Sequence, residues 1–121
     1  MEIVKIEENF SVCKVENYIQ VDMSQKYSFI GKKDEENSLV CLKENVPENV
    51  IIQDDGWKAF RIQGILNFSL IGILSKISAI LADNEIGIFA ISTYNTDYIF
   101  VKAVNYNKAL SVLEDAGFNI I

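Results

Sequence analysis

The sequence predicts an α+β fold of two ferredoxin-like (βαββαβ) units, with antiparallel sheets that carry helices on one face and an N-terminal unit that is degenerate. Three observations favour it: segments of alternating apolar and polar residues, two stretches with helical spacing, and the order of these segments. From residue 57 that order is strand, helix, hairpin, helix and a closing strand at 118–121. We therefore expect a degenerate unit at 1–56 and a complete domain at 57–121.

The first strand and helix of the complete domain are predicted from periodicity. Residues 57–63 alternate between apolar and polar and indicate a half-buried strand. The helix that follows has apolar residues spaced three and four apart: Ile73, Leu74, Ile77, Ile80 and Leu81. Asn67 or Ser69 can cap its start, and Gly87 is expected to supply a left-handed residue after its end.

A hairpin and a second helix complete the domain. Residues 88–93 and 98–104 are rich in β-branched and aromatic side chains, and the polar segment 94–97 between them predicts a turn. Asn105 is expected to cap the second helix, and Gly117 to follow its end. The inner face of this helix would consist of Tyr106, Ala109, Leu110 and Leu113.

The N-terminal half is less regular. Residues 10–15, 27–31 and 36–41 are predicted to be strands. No sustained helical period lies between 15 and 27, so a first helix is short or absent there. Pro47, the only proline, suits a linker that leads to the second unit.

Composition limits the classes of partner. A net charge of −6, with no basic run, argues against nucleic acid binding. No signal peptide opens the chain, and charged residues interrupt the longest apolar stretch, so we expect a cytoplasmic protein with no membrane partner. Cys13 and Cys41 lie in apolar alternating runs, and two buried free thiols are favoured over a disulfide.

Catalytic and metal sites are not predicted. The chain has no histidine, which removes the commonest general base, and it contains no phosphate-binding loop or dinucleotide fingerprint. The acidic runs at 34–36 and 54–55 lack the ligand spacing of a calcium loop and are more typical of solvated loops. We therefore expect no enzyme activity, no metal and no cofactor.

Three runs of sequence carry a family resemblance. They are Trp57–Gly64, Leu66–Leu74 and Ile88–Tyr98, of which the Ser-Thr-Tyr-x-Thr-Asp run within the third is the most specific. Together they resemble the ACT domain, and in particular the bacterial two-unit ACT proteins related to the CASTOR arginine sensors. In the N-terminal half, residues 36–41 look like the Glu-x-Ser-Val-Val strand of that family. ACT domains are small regulatory modules that bind amino acids where two such units meet, and the resemblance implies the same here.

The turn that opens the first helix is one candidate part of a binding site. It consists of Ser69, Leu70, Ile71 and Gly72. Backbone N–H groups at a helix start lack internal partners, and the helix dipole adds positive charge, so a ligand carboxylate would fit there. Gly72 would allow close approach, and the resemblance also places the ligand near this turn. The alternative is that Gly72 only lets the helix pack tightly on the sheet.

The hairpin supplies the other candidate part. The resemblance implies that Thr93, Tyr94 and Asp97 contact the ligand, and a carboxylate can hold an ammonium or guanidinium group by charge-assisted hydrogen bonds. The alternative is structural, with Asp97 or Asn95 bonding nearby backbone N–H groups to fix the turn. Arg61 could pair with Asp97 or remain solvated.

Two functions of different classes follow. The first is an amino-acid-binding regulatory module, a homodimer or other homo-oligomer, with the ligand at an interface between ACT units. The second is a structural dimerisation module with no ligand, since sheet edges invite pairing. An enzyme is the least favoured interpretation, because the chain has no histidine.

Overall fold

A computed structural model describes residues 2–63 and 70–121 of the chain. The strands are β1 (Glu2–Val15), β2 (Phe29–Lys33), β3 (Glu36–Leu42), β4 (Val50–Gln63), β5 (Ile88–Ser92), β6 (Asp97–Lys102) and β7 (Asn119–Ile120). The α-helices are α1 (Leu70–Asp83) and α2 (Tyr106–Asp115), and short 3₁₀ turns occupy Lys43–Asn45 and Ala103–Asn105.

The chain divides into two compact units. The C-terminal unit contains Met1–Glu7 and Lys58–Ile121, and the N-terminal unit contains Glu8–Trp57. Both divisions fall inside a strand, so the linker expected around Pro47 is wrong: β4 begins at Val50 and continues through the division. Its first residues are β-branched and favour extended backbone. The assignment of domains to 1–56 and 57–121 stays a prediction, although the first seven residues group with the C-terminal unit.

In the C-terminal unit the sheet has the strand order β7-β1-β4-β6-β5. β7 pairs in parallel with β1, with Ile3 opposite Ile120. β5 and β6 form the predicted antiparallel hairpin, with Ser92 opposite Asp97. The start of the chain therefore lies between the first and last strands of the domain predicted at 57–121, an arrangement that residue order alone does not indicate.

Both predicted helices of the C-terminal unit are confirmed, and their apolar faces are buried. The core contains Ile3, Phe60, Ile62, Ile77, Leu81, Ile86, Ile99, Val101, Tyr106, Ala109, Leu113 and Phe118, with Ile73, Leu74, Ile80 and Leu110 packed against it. Each fully buried Ile, Leu, Val or Phe side chain among them contributes roughly 1.5–3 kcal/mol. Within the described part of the chain, neither helix has the length and apolar character needed to span a membrane.

The helix ends differ in part from expectation. Gly117 adopts the expected left-handed conformation after α2, with φ of 103°. After α1, however, the left-handed residue is Glu85, with φ of 59°, and not Gly87. The backbone N–H of Ile86 donates to the carbonyl of Leu81 at 2.9 Å, so the helix ends two residues earlier than the glycine suggested.

The predicted N-terminal caps of the two helices are not confirmed either. Asn105 precedes α2 but makes no side-chain capping hydrogen bond. Instead a 3₁₀ turn leads into the helix, and the backbone N–H of Tyr106 donates to the carbonyl of Ala103. The two predicted caps of α1, Asn67 and Ser69, lie outside the described residues.

The N-terminal unit is a sheet without α-helices. Its strands have the order β2-β3-β1-β4, with antiparallel pairing of β1 with β3 and of β2 with β3. All of its residues, 8–57, are described, and none is in an α-helix, as expected between residues 15 and 27. A second ferredoxin-like unit with helices on one face is therefore not confirmed. Cys13 and Cys41 are buried free thiols in its core, as predicted.

Candidate ligand-binding site

The β5–β6 hairpin positions Asp97. Its turn closes through Thr93, whose backbone N–H donates to the carbonyl of Thr96 at 2.8 Å and whose hydroxyl donates to the same oxygen at 3.2 Å. Asp97 is consequently the first residue of β6 and lies opposite Ser92. The turn is held by Thr93, so the described hydrogen bonds do not support the idea that Asp97 fixes it.

Asp97 occupies the face of the sheet that the helices cover. Side chains two apart in a strand share a face, and Ile99 and Val101 belong to the core that packs against α1 and α2. Asp97 therefore points toward the same side, and only 1% of its surface is exposed. A carboxylate in such a place is unusual, because acidic residues are almost never fully buried unless they are paired.

The pairing of this buried carboxylate is incomplete. The hydroxyl of Ser92 donates to Asp97 Oδ1. Asp97 Oδ2 is also buried, and it finds no hydrogen-bond donor among the described residues. A buried polar atom without a partner costs about 1–3 kcal/mol, and more when it is charged. The hairpin therefore presents an oxygen whose burial becomes favourable when a donor reaches it.

Thr93 and Tyr94 are placed differently from Asp97. The Thr93 hydroxyl is used within the turn, and the Tyr94 side chain is 100% exposed. The hairpin thus brings Thr93 and Asp97 near its tip, but within the C-terminal unit it does not place Tyr94 against a pocket wall.

The start of α1 carries the other predicted residues. Leu70 and Ile71 are its first two residues and Gly72 its third, whereas Ser69 lies outside the described residues. Gly72 is exposed, and a Cβ added there would meet no atom of the described residues within 4 Å. Tight packing on the sheet is thus not the reason for this glycine in the described part of the chain. The first-turn N–H groups have no partners within the helix itself.

Ser92 is a site residue that our sequence analysis missed. It belongs to the Ser-Thr-Tyr-x-Thr-Asp run, but the resemblance did not give it a role. The signal was available, because a four-residue turn from Thr93 to Thr96 places Ser92 opposite Asp97 in an antiparallel hairpin. Arg61, by contrast, donates to Gln63 Oε1 at 3.2 Å, and no bond to Asp97 is described.

The acidic runs do not form a metal site in the described part of the chain, where no group of three or more suitable ligands occurs. Asp55 instead accepts hydrogen bonds from the hydroxyl of Ser11 and from Gln53 Nε2, the latter at 2.8 Å. These two bonds, in that order, lower the pKa of the Asp55 carboxyl. Asp34 lies in the β2–β3 turn with φ of 47°.

A cavity of about 500 Å³ opens elsewhere, in the N-terminal unit. Its lining consists of Glu8, Asn9, Leu42, Lys43 and Glu44. None of the predicted site residues contributes to it. The volume would suit a small molecule, but its polar lining residues are exposed, so the cavity lacks the buried, convergent polar groups typical of a specific pocket.

The helix-covered sheet and the incompletely paired acid at one hairpin define a small α+β module with a buried polar atom still able to accept a hydrogen bond. Residues 53–115, just over half of the chain, match the ACT domain family. The chain belongs to that family. No curated protein shows a significant match to the sequence.

Solved structures share the fold over almost the whole chain. Protein Atu0741 from Agrobacterium tumefaciens is 27% identical, with 99% of this chain and 91% of that chain covered and a TM-score of 0.87. Protein VC0802 from Vibrio cholerae is 18% identical, with 94% and 88% covered and a TM-score of 0.73. The ligand-free regulatory subunit of aspartate kinase from Thermus thermophilus is 10% identical, with 97% and 98% covered and a TM-score of 0.69. The last two similarities concern the fold alone.

Proposed function

We propose that this protein is an amino-acid-binding regulatory module with no catalytic activity of its own. The observation that carries the proposal is the buried Asp97 carboxylate, in which Oδ2 lacks a donor among the described residues. Membership of the ACT domain family supports it, as does the similarity in fold to a regulatory subunit of aspartate kinase. The buried free thiols of Cys13 and Cys41 agree with a reducing, cytoplasmic location.

An amino acid offers the two charged groups that this arrangement would recognise. Its ammonium group, or a guanidinium side chain, would donate to Asp97 Oδ2, while its carboxylate would accept from the N–H groups of residues 69–72 at the start of α1. Gly72 would leave room for that approach. Micromolar to millimolar affinity requires only about −4 to −8 kcal/mol, which a few charge-assisted bonds can supply.

The ligand would lie at an interface between ACT units. Tyr94 is fully exposed in the single chain, so it would contact a ligand only where a second unit covers the hairpin. The turn that contains Thr93 would form the wall of the ligand site beside Tyr94. The resemblance to the CASTOR arginine sensors makes arginine and related cationic amino acids the first ligands to test.

A structural dimerisation module without a ligand is the second candidate. One observation favours it: the Ser92–Asp97 hydrogen bond joins β5 to β6 and already engages one carboxylate oxygen. In that case Asp97 would stabilise the hairpin, and the start of α1 would bind nothing.

A thermal-shift screen distinguishes the two functions. The purified protein would be heated with each common amino acid at millimolar concentration, beside Asp97→Ala and Asp55→Ala variants. A ligand at about one hundred times its Kd adds about 2.7 kcal/mol to the free energy of unfolding. We expect one or two amino acids to raise the Tm of the wild type and of Asp55→Ala, and to leave Asp97→Ala unchanged.

Asp55→Ala is the matched control, because it removes an acid that also accepts from a serine but lies in the N-terminal unit. Each variant is compared with its own ligand-free Tm, so a change in intrinsic stability does not affect the comparison. No shift with any amino acid would favour the dimerisation module. An equal shift in all three proteins would place the ligand away from Asp97.

A further inference from the structure

We propose that Ser92 contacts the ligand directly, and that Ser92 and Asp97 together form a pair of acceptors that selects a cationic nitrogen group. This inference rests on the proposed function and deepens it, because it names a specificity-determining residue and the chemistry that this residue recognises. It also assigns the side from which the ligand enters, which is the edge of the sheet at β5.

Ser92 lies at the rim of the sheet face that the helices cover. It is directly opposite Asp97 in the β5–β6 ladder, so the two side chains leave the same face of the sheet. Ile88 on β5 shares that face and packs against the core of the C-terminal unit. Ser92 itself is exposed, whereas Asp97 is buried. The covered face therefore opens to solvent at Ser92.

The strand order provides a route from solvent to Asp97. β5 is the last strand of the sheet order in the C-terminal unit, and β6, which begins with Asp97, lies between β5 and β4. On the β4 side, Phe60 and Ile62 belong to the buried core. On the β5 side, the residue opposite Asp97 is the exposed Ser92. A ligand group that enters across the edge strand therefore passes the Ser92 hydroxyl before it reaches Asp97 Oδ2.

The hydrogen bond between the two side chains determines what they can offer to a ligand. A serine hydroxyl has one proton, and Ser92 donates it to Asp97 Oδ1. Only the lone pairs of Ser92 Oγ then remain for further hydrogen bonds, and a carboxylate has acceptors alone. Asp97 Oδ2 is buried and receives no hydrogen bond from the described residues. The pair therefore presents two acceptor atoms, Ser92 Oγ and Asp97 Oδ2, and no donor.

A ligand group that satisfies both acceptors must carry at least two N–H donors. Ammonium and guanidinium groups meet this requirement, and their charge strengthens a hydrogen bond to a carboxylate. A hydroxyl has one proton and satisfies one acceptor, whereas a carbonyl oxygen satisfies neither. Replacement of the cationic nitrogen by oxygen should therefore weaken binding by about tenfold or more.

The test adds serine variants to the amino-acid screen. Ser92→Ala removes one acceptor, and Ser92→Thr keeps a hydroxyl at the same position. Each common amino acid is added at millimolar concentration, and calorimetry then gives the Kd of every amino acid that raises the Tm of the wild type. We expect Ser92→Ala to raise that Kd by about tenfold or more, and Ser92→Thr to remain within about threefold of the wild type.

Selectivity and coupling distinguish a ligand contact from a purely structural role. Each amino acid that binds is compared with an analogue in which oxygen replaces a cationic nitrogen, namely its α-hydroxy acid or, for arginine, citrulline. At least one analogue of each should bind the wild type about tenfold more weakly or worse. In a double-mutant cycle, Ser92→Ala should raise the Kd by a smaller factor in an Asp97→Asn background than in the wild type, because both residues contact one ligand group.

Ser11→Ala is the matched control, because Ser11 also donates to an aspartate but lies in the N-terminal unit. It should leave every Kd unchanged. An unchanged or lower Kd in Ser92→Ala would mean that Ser92 only competes for the carboxylate, which would overturn this inference and leave the proposed function intact. Equal binding of every oxygen analogue would overturn the selectivity. If no common amino acid binds the wild type, the proposed function fails, and this inference fails with it.

Discussion

Each unit of the molecule contains one serine–aspartate pair between neighbouring strands, but the burial of the two pairs is reversed. In the C-terminal unit Asp97 is 1% exposed, and its donor Ser92 is exposed. In the N-terminal unit Ser11 is 0% exposed, and its acceptor Asp55 is exposed. The same hydrogen bond therefore has opposite consequences, since burying an ionisable carboxyl is far more costly than burying a hydroxyl.

The difference bears on the binding role proposed for Asp97. The Asp55 carboxylate has a second donor in Gln53 Nε2 and is exposed to water, so its hydrogen bonding is satisfied without a ligand. Asp97 Oδ2 has no donor among the described residues. A protein that retains such an atom gives up stability at that position, which is common where a binding site requires it.

Replacement of each acid by valine should have the largest effect on stability, with opposite signs for the two pairs. Asp97→Val removes a buried polar atom and places a β-branched residue beside Ile99 and Val101, so the ligand-free protein should gain about 1–3 kcal/mol in free energy of unfolding. Asp55→Val leaves the buried Ser11 hydroxyl without its acceptor and should lose about 1–3 kcal/mol. Urea denaturation of the two variants beside the wild type measures both effects.

Opposite signs are the essential result. A loss of stability in Asp97→Val would mean that Asp97 supports the hairpin through Ser92, which is the structural role left open by the sequence. Asp97→Asn is a useful control, because it keeps the shape and an acceptor oxygen while it removes the charge. A gain shared by the asparagine variant would attribute the cost to charge rather than to the polar atom.

Two tyrosine hydroxyls extend the comparison with a smaller expected effect. In the C-terminal unit the Tyr106 hydroxyl accepts from the backbone N–H of Ile6 at 3.2 Å and donates to the carbonyl of Ala59 at 2.7 Å. Both bonds are buried. Tyr106→Phe leaves two buried backbone groups without this hydrogen-bond partner and should lower the free energy of unfolding by about 1–3 kcal/mol.

Tyr18 provides the counterpart in the N-terminal unit, where its hydroxyl can donate its one proton to the carbonyl of Gly31, at 3.1 Å, or of Ser38, at 3.0 Å. Water can reach these groups in part, so Tyr18→Phe should cost less, about 0.5–1 kcal/mol. Denaturant titration of both variants measures the two losses in free energy of unfolding and hence their ratio. Equal losses in free energy of unfolding would show that burial does not determine how much these tyrosine hydrogen bonds stabilise each unit.

The pH dependence of stability supplies an independent check on the contribution of the buried Tyr106 hydroxyl. Burial raises the pKa of its hydroxyl from 10.0 to about 12 in the folded chain. Below pH 10 the hydroxyl is protonated in both states, and its contribution is complete; as the pH rises through the folded value, the contribution is lost. The difference in stability between the wild type and Tyr106→Phe should therefore narrow between pH 10 and 12.

The C-terminal unit could be predicted well from the sequence because its elements follow short periods. The spacing of Ile77 and Leu81 in α1 and of Ala109 and Leu113 in α2 indicates the buried faces directly. The pairing of Glu2 and Ile3 with β7 is long-range and leaves no local pattern, so the sequence alone does not indicate that the first residues group with the C-terminal unit. The same limit applies to the N-terminal unit, where a degenerate ferredoxin-like unit was predicted and the structure has strands without α-helices.

The candidate site could be predicted only in part. Asp97 was found through a motif, but its burial depends on the face of β6 that the helices cover, which no local spacing reports. The role of Tyr94 in ligand contact stays a prediction, and its side chain is exposed in the single chain because turn residues project beyond the sheet. Glu85 took the left-handed position expected of Gly87, since chain direction after α1 is set by packing of Ile86 in the core.

The smallest expected effect concerns the ionisation of Asp55. The Ser11 hydroxyl is the largest cause of its lowered pKa and Gln53 is the second. Ser11→Ala should therefore raise the Asp55 pKa toward its ordinary 3.8 by more than Gln53→Ala does, as measured by NMR titration of the side-chain carboxyl. A group with a lowered folded pKa contributes stability above pH 3.8 and loses it as the pH falls through the folded value, so both variants should also flatten the acid limb of the stability profile. A larger rise of the Asp55 pKa in Gln53→Ala would mean that the Ser11 hydroxyl contributes less than Gln53 to stabilising the charged carboxylate. The burial of Ser11 would then have no electrostatic effect on Asp55.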